Sequence, residues 1–208
     1  MTIEELVHQR NITRLFHFTH SDNLSSILEN GLLSRTVLDD DENIDYVYND
    51  DIRIDGHKDA ICLSVSFPNS RMFYKYRRLR AGDWVILEIH PSVLWDKECV
   101  FYPTNAASNN VRLTDIENLK GSEAFSNLFA NDVFGTQRNC NLPAEYPTDV
   151  QAEVLVFENI EMSYIVNTYH SNKESAQHFK NQYPQTNQRY YANLNGKTFY
   201  SQRDFCLG

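Results

Sequence analysis

The sequence predicts an α+β fold made of one domain that spans residues 1–208. Short apolar runs typical of strands are separated by helical patterns, and they lack the regular strand–helix–strand alternation of a parallel α/β sheet. The chain is 41% hydrophobic, which is enough for one sizeable core. No shift of composition and no linker rich in proline, glycine or serine divides the sequence. We therefore expect strands and helices that share a single core.

The first half of the chain is expected to alternate helices and strands before a long acidic loop. The run Leu15-Phe16-His17-Phe18 is rich in aromatic residues, as strands are. Thr19 or Ser21 can cap the helix that follows, and Gly31 is a residue type that ends helices. In order, we expect a helix over 2–8, a strand over 15–18, a helix that stops at 31, a loop over 38–58 and a strand over 60–67.

The second half contains the clearest buried strand, over 84–90. Before it, Asn69 can cap a helix, and further along Gly121 weakens a helical pattern over 115–129. The expected elements are a helix over 69–80, strands over 84–90 and 99–102, a helix over 115–129, a loop over 131–149, strands over 150–157 and 164–169, a helix over 173–182 and a strand near 188–193.

Several absences in the sequence predict a cytoplasmic protein that does not enter a membrane. No apolar stretch approaches the ~20 residues of a membrane span, and the N-terminus lacks the basic and apolar regions of a secretory leader. The cysteines are scattered and contain no C-x-x-C pair, which argues against a thiolate zinc site and fits a reducing compartment. They are Cys62, Cys99, Cys140 and Cys206.

The net charge of −9 disfavours a protein whose main task is to coat nucleic acid. The charges are unevenly placed, however. Residues 39–59 contain nine acidic residues, whereas residues 71–80 contain five basic ones. A local basic cluster can still guide a polyanion into one groove, although it is also typical of a solvated helix face.

The strand predicted over 150–157 carries an acid in an apolar run. Since side chains alternate along a strand, Gln151 and Glu153 share one face. A carboxylate in such a place is costly unless it is paired, hydrogen-bonded or used in a reaction. Glu153 is therefore either the solvated end of a strand or a functional acid.

A second polar motif, His17-Phe18-Thr19, lies on the first predicted strand. A strand that leads through a polar turn into a helix leaves backbone N–H groups available to a ligand. His17 can donate to a ribose hydroxyl, and Thr19 can bind an amide or a hydroxyl. A single histidine in a strand is also commonly a core residue with its hydrogen bonds satisfied.

The order of these motifs, an early H-x-T and a late Q-x-E, resembles that of ADP-ribosyltransferases. The run from His17 to Ser34 is similar to the N-terminal motif of the DarT family, toxins that ADP-ribosylate bases in DNA, and Gln151-Ala152-Glu153 resembles its catalytic strand. The resemblance spans roughly residues 12–170. It implies an ADP-ribosyltransferase-like fold with split central sheets, antiparallel or mixed, flanked by helices. It also implies NAD as the ADP-ribose donor and no metal.

The resemblance assigns roles to particular residues. Glu153 would stabilise the cationic ribose that forms when the nicotinamide bond breaks, as a preorganised carboxylate can. Arg53, in the acidic loop, corresponds to an arginine proposed to help deprotonate the target base and to contact NAD. The residues that match NAD-binding positions are His17, Phe18 and Thr19, with Ser26 and Ser34 as further nucleotide contacts.

The substrate implied by the resemblance is a base of a single-stranded nucleic acid, DNA more than RNA, since a base must leave its stack to be modified. The loop over 131–149 would recognise this acceptor, with Gln151 reading it. The helix over 69–80 would follow the phosphates, and Phe73, Tyr74 or Tyr76 would stack on bases, although we expect Phe73 in the core. The basic candidates are Arg71, Lys75, Arg77 and Arg78.

The resemblance further implies a toxin of a toxin–antitoxin or phage-defence system, with an antitoxin partner of the macrodomain type or one that binds the toxin. The segments over 60–67 and 101–108, which face the substrate in the family, differ from better-known members. The modified base and the choice among DNA, RNA and a protein side chain therefore stay open.

Two functions of other classes remain. A noncatalytic interaction module would use the acidic surface to bind a basic partner. A metal-dependent hydrolase would use histidines and nearby acids, but H-x-x-H is a weak pattern on a strand and turn. Its candidate ligands are His17, His20, Asp22, His57 and Asp59.

Overall fold

A seven-stranded sheet runs through the centre of the protein in a computed structural model that describes residues 1–41, 46–47, 56–190 and 198–203. The strands are β1 (Leu15–His20), β2 (Ile61–Val65), β3 (Trp84–Ile89), β4 (Cys99–Tyr102), β7 (Glu153–Val156), β8 (Ile165–His170) and β9 (Gln188–Tyr190). Their order in the sheet is β4-β7-β2-β1-β3-β8-β9. Neighbouring strands are antiparallel except β8 and β9, which are parallel. A separate ribbon contains β5 (Asp132–Val133) and β6 (Thr136–Gln137).

The sheet is split between β1 and β2. These strands pair only where Leu15 faces Val65 and Phe16 faces Ser64, whereas β1 pairs with β3 along its whole length. Beyond Phe16 the two halves, β4-β7-β2 and β1-β3-β8-β9, are therefore no longer joined by a strand ladder. This arrangement confirms the α+β class and the split mixed sheet expected from the sequence.

Helices cover both faces of the sheet, since neighbouring residues of a strand point to opposite sides. The helices are α1 (Ile3–Gln9), α2 (Leu24–Asn30), α3 (Arg35–Asp40), α4 (Ser70–Leu79), α5 (Val93–Asp96), α6 (Gly121–Asn127) and α7 (Lys173–Gln182). Leu15 and Leu87 belong to a core shared with α1, α2, α6 and α7, while Phe16 and Ile86 pack with Phe73 of α4. None of the described helices is both long and apolar enough to cross a membrane.

The helix that carries the basic cluster, α4, begins as the sequence predicts. Asn69 caps α4 by accepting a hydrogen bond from the Met72 N–H at 3.1 Å. The start of α2 differs from the expectation, because neither Thr19 nor Ser21 caps it. Ser21–Asn23 instead forms one turn of 3₁₀ helix, and α2 begins at Leu24 without a side-chain cap.

Glycines explain two helix boundaries. Gly31 ends α2 at φ +81°, where a Cβ would meet the Ile160 carbonyl oxygen at 2.5 Å. The helix expected over 115–129 is two pieces, a 3₁₀ helix over Ile116–Leu119 and then α6, because Gly121, the first residue of α6, adopts φ +78°. A left-handed residue of this kind interrupts the helical path.

Two predicted loops contain regular structure. Helix α3 occupies the beginning of the acidic segment, and the β5–β6 hairpin lies within 131–149. The strand expected over 150–157 is shorter, since β7 begins at Glu153 and Gln151 lies in the turn before it. Gln151 and Glu153 therefore do not share a strand face.

Candidate active site

A cavity of about 630 Å³ opens where β1 and β2 separate. Its walls come from β1, β2, α2, α4, the loop after β4 and the start of β7. This volume lies within the range of about 300–1,000 Å³ typical of ligand pockets. The split sheet thus brings together residues that are far apart in sequence. Those predicted as functional that line the cavity are His17, Phe18, Thr19, Ser26, Arg71, Lys75, Tyr76, Gln151 and Glu153.

Glu153 is held at the cavity by the loop that follows β4. The residue is 5% exposed, and its two carboxylate oxygens accept separate hydrogen bonds. Asn105 Nδ2 donates to Oε1 at 3.2 Å, and the Ala106 N–H donates to Oε2 at 3.0 Å. Because both oxygens are bonded, the direction of the carboxylate is fixed before any ligand arrives.

The same loop is joined to the turn that precedes β7. Thr104 Oγ1 donates to Asp149 Oδ2 at 2.7 Å, and the Gln151 N–H donates to Asp149 Oδ1 at 2.9 Å. The segments 101–108 and 131–149 were expected to face the substrate, but no sequence motif singles out Thr104, Asn105 or Asp149 within them. Their contacts depend on β4 and β7 being paired, which is a tertiary feature.

His17 bridges the split between β1 and β2. Its Nδ1 lies 2.9 Å from the Cys62 carbonyl oxygen, which can only accept a hydrogen bond. Nδ1 therefore carries the proton, and in the neutral ring Nε2 is an acceptor. The donor role expected for His17 toward a ribose hydroxyl requires a ring protonated on both nitrogens, whereas the neutral ring accepts through Nε2.

Thr19 is buried next to the turn into α2. Its Oγ1 accepts a hydrogen bond from Asn23 Nδ2 at 2.9 Å, so its own hydroxyl hydrogen can be donated to a ligand. Asn23 also forms two hydrogen bonds with the backbone of Val47: Asn23 Nδ2 donates to the Val47 carbonyl oxygen at 2.8 Å, and the Val47 N–H donates to Asn23 Oδ1 at 2.7 Å. Asn23, which the sequence analysis did not single out, thereby fixes part of the cavity wall.

The other nucleotide candidates occupy different positions. Phe18 lies at the wall with its ring stacked on Phe73, at 4.8 Å between centroids. Ser26 faces the cavity from α2. Ser34 is buried, caps α3 and does not line the cavity. Arg53 lies outside the described residues.

The basic residues of α4 divide into two groups. Arg71 and Lys75 are exposed and line the cavity. Arg77 turns inward, donates to the Tyr200 carbonyl oxygen at 2.7 Å and lies 4.6 Å from the Phe73 ring centroid. Burial lowers the pKa of Arg77.

Arg78 is exposed and donates to the hydroxyl of Tyr74 at 3.1 Å. It does not line the cavity. The cluster predicted as one surface is therefore two cavity residues, one outer residue and one residue that packs against the core.

The proposed metal ligands make contacts of other kinds. His20 is buried, with Nε2 3.2 Å from the Ala81 carbonyl oxygen and Nδ1 3.2 Å from Asp22. His57 Nε2 lies 3.5 Å from the Tyr102 hydroxyl. Across the described ranges, no three histidine, cysteine or acidic side chains are grouped as a metal site would require.

Three arginines hold the segment that leads into the turn before β7. Arg138 donates to the carbonyl oxygens of Tyr146 and Pro143 at 2.8 and 2.9 Å. Arg203 donates to that of Pro147 at 2.8 Å, and Arg10 to that of Ala144 at 3.2 Å. Burial, followed by the charges of Arg10 and Arg203, lowers the pKa of Arg138. This part of the 131–149 segment therefore has a defined shape.

A family model described as DarT, ssDNA thymidine ADP-ribosyltransferase, matches residues 16–199. The matched range includes all residues that line the cavity. No curated protein matches the chain.

Three solved structures share the fold. DarTG of Thermosipho africanus in complex with ADP-ribose has a TM-score of 0.65 at 21% identity, and the match covers 90% of this chain and 51% of that chain. This chain thus spans about half the length of that protein. DarT of Thermus sp. 2.9 has TM-scores of 0.51 in complex with NAD⁺ and 0.55 in complex with ADP-ribosylated ssDNA. Both are 16% identical, and the matches cover 86% of this chain and 93% of those chains.

Proposed function

The chain belongs to the DarT family, whose model describes an ssDNA thymidine ADP-ribosyltransferase, and from this membership we propose that the protein cleaves NAD⁺ and transfers ADP-ribose to a thymidine base in single-stranded DNA. The observation that supports this proposal best is the buried, doubly bonded carboxylate of Glu153 in the cavity at the split of the sheet. The sequence left the modified base open, and the description of the family favours thymidine.

The reaction needs a negative group next to a developing positive charge. As the bond between nicotinamide and ribose C1 breaks, nicotinamide leaves with the electron pair and the ribose gains oxocarbenium character. Glu153, hydrogen-bonded to the ribose 2′-hydroxyl, stabilises this charge. Because the carboxylate already points in a fixed direction, it need not reorient during the reaction. The hydrogen bonds from Asn105 and Ala106 therefore support catalysis as well as the fold.

The acceptor completes the exchange. N1 of thymidine already carries the deoxyribose, so N3 is the only ring nitrogen with a proton. N3 forms the new bond to ribose C1 and loses this proton, and the products are nicotinamide, the ADP-ribosylated strand and one proton. We assign assistance in the deprotonation to Arg53, as the family resemblance implies, and recognition of the base to Gln151 at the cavity.

We assign NAD⁺ to the β1 and α2 side of the cavity. His17 accepts from a ribose hydroxyl through Nε2, and the hydroxyls of Thr19 and Ser26 bind polar groups of the nucleotide. Phe18 supplies an apolar wall. Ser34 contributes by fixing the start of α3, since it caps that helix. Arg35, which belongs to no recognised sequence motif, also lines the cavity and adds positive charge for the diphosphate.

We assign the DNA strand to the outer face of α4. Arg71, Lys75 and Arg78 follow each other at i, i+4 and i+7, which places them on one side of the helix. Tyr74 lies beside them and is 52% exposed, so it can stack on a base. Phe73 and Tyr76 are buried, at 1% and 7% exposure. Single-stranded DNA thus leaves the cavity along this face.

The antitoxin partner stays a proposal drawn from the family. A toxin of this chemistry would be restrained by a protein of the macrodomain type that removes the ADP-ribose, or by one that binds the enzyme. The relative from Thermosipho africanus carries the name DarTG, which agrees with a paired system.

The test is transfer of label from NAD⁺ to defined acceptors. The protein is incubated with NAD⁺ labelled in its adenosine part and with single-stranded oligonucleotides that differ only by one thymidine. We expect label on the strand with thymidine and none with Glu153→Gln. Label on RNA alone, or on protein from a lysate alone, would contradict the proposed acceptor. Hydrolysis of NAD⁺ without any transfer would contradict the proposed reaction.

A further inference from the structure

Asp149 is a buried acid that does not line the cavity but is bonded to two segments that do. Its Oδ2 accepts from Thr104 Oγ1 at 2.7 Å, and its Oδ1 accepts from the Gln151 N–H at 2.9 Å. Among the residues that the structure describes, no cation forms an ion pair with Asp149. A buried carboxylate is costly, so neutral donors in this arrangement indicate that its geometry matters.

These hydrogen bonds close a ring of contacts around the catalytic glutamate. Thr104 is covalently followed by Asn105 and Ala106, which bind the two carboxylate oxygens of Glu153. Asp149 is also connected to Glu153 directly along the chain, through the turn that contains Gln151. The ring therefore sets the Glu153 carboxylate and Gln151 in one fixed relation.

We propose that Asp149 is a positioning residue, which holds the loop 103–107 against Glu153 and aligns the acceptor-side turn with the catalytic carboxylate. The inference rests on the proposed function, because it concerns the same reaction. Asp149 acts through Thr104 and Gln151 and does not touch the substrate. Without Asp149, the loop that binds Glu153 loses its hydrogen bond to the turn before β7. Among the described residues, this is the only side-chain hydrogen bond that joins the loop to that turn.

The first measurement compares Asp149→Ala with a control outside the cavity in transfer to a thymidine oligonucleotide. We expect Asp149→Ala to lower kcat about 10–100-fold, since small displacements of a catalytic group have effects of this size, while KM for NAD⁺ changes less than about 3-fold. The control is Thr186→Val, because Thr186 is also buried and its hydroxyl donates to the Tyr183 carbonyl oxygen at 2.7 Å, between α7 and β9 and away from the loop. It should retain the wild-type kcat.

Conservative variants keep the test decisive if Asp149→Ala folds poorly. Asp149→Asn retains an oxygen for the Gln151 N–H and an amide N–H for Thr104 Oγ1, so it should restore most of kcat. Thr104→Val removes one hydroxyl and should lower kcat by about 3–10-fold. The proposal is overturned if Asp149→Asn is as impaired as Asp149→Ala, or if Asp149→Ala has the same kcat as Thr186→Val.

A double-mutant cycle separates positioning from general destabilisation. If Asp149 acts through the loop, Asp149→Ala combined with Asn105→Ala should lose little more kcat than the worse single variant. If the fold-loss of kcat in the double variant equals the product of the two single losses, the residues act independently and the proposal is overturned. A wild-type protein that transfers no label would refute the proposed function instead, whereas an active wild type with an unaffected Asp149→Ala would refute only this inference.

Discussion

Two walls of the cavity carry opposite charges and differ in how firmly their side chains are held. Glu153 is 5% exposed, and both of its oxygens accept hydrogen bonds from the loop after β4. Arg71 and Lys75 on α4 are exposed. The acid is therefore fixed in the protein, while these cations extend from the surface into a space that a ligand would fill.

This difference corresponds to different physical tasks. A carboxylate that stabilises charge in a transition state is most effective when its direction is already set. Cations that bind a flexible polyanion act mainly through charge and the release of counterions, which requires little fixed geometry. Substitutions near Glu153 should thus affect kcat, whereas substitutions on α4 should affect binding of the strand and its dependence on salt.

The largest effect is expected at Glu153 itself. Glu153→Gln removes the charge that we propose stabilises the ribose cation, and it should lower kcat at least about 10³-fold, the size of other losses of a fixed electrostatic group. NAD⁺ should still bind, because the amide has nearly the same volume. Transfer of label and binding of NAD⁺ by calorimetry check both parts.

A neighbouring glutamate provides the control for that substitution. Glu158 follows β7, is exposed and accepts from the Glu98 N–H at 2.7 Å. Glu158→Gln should keep wild-type activity. Equal losses in the two variants would mean that the negative charge of this region, and not the carboxylate in the cavity, supports the reaction.

A smaller effect, of about 10–100-fold in kcat, is expected when Asn105 is replaced by alanine. Asn105→Asp is more informative, because it places a second acid next to Glu153 Oε1, at the 3.2 Å of the present hydrogen bond. Like charges at this distance raise the pKa of a carboxyl group. Since the proposed reaction uses the ionised carboxylate of Glu153, the acid side of the pH–rate profile should move to higher pH. An unchanged pH–rate profile would contradict the proposal that the contact between Asn105 and Glu153 controls the catalytic carboxylate.

The fold and family could be predicted because local patterns carry them. The α+β class and the DarT family are confirmed, and the Asn69 cap predicted for α4 is present. Boundaries were wrong where one residue or a distant contact decides them. Gly121 divides a predicted helix, and Asn23 engages Thr19 and Val47, so no side-chain cap forms on α2.

The site could be predicted only in part, for a related reason. His17 and Glu153 stand in motifs with recognisable spacing, and the structure brings both to one cavity. Asn105 and Asp149 have no such spacing, because their role depends on contacts across the paired strands β4 and β7. Composition alone could not separate Arg77 from the exposed basic residues of α4, since the exposure of each side chain depends on which side of the helix packs against the core.

Substitutions of the basic cavity residues on α4 should change mainly the KM for the oligonucleotide. Lys75→Ala is expected to raise this KM by about 10-fold at moderate salt and to reduce the slope of log KM against log salt by about one. Activity at saturating DNA should change little. A fall in kcat with no change in the salt slope would place Lys75 in the chemistry and would remove the distinction between the two walls.

The smallest effect on activity is expected at Arg77, although it belongs to the same basic run. Its guanidinium donates to the Tyr200 carbonyl oxygen and lies over the Phe73 ring, so Arg77→Ala removes packing and a hydrogen bond. The free energy of unfolding should fall by about 1–2 kcal/mol, measured by chemical denaturation, while KM for DNA stays within about 2-fold. Arg78, which is exposed, offers the comparison: Arg78→Ala should leave stability unchanged and weaken DNA binding. The reverse pattern would mean that Arg77 reaches the strand and that the wall extends to the inner side of α4.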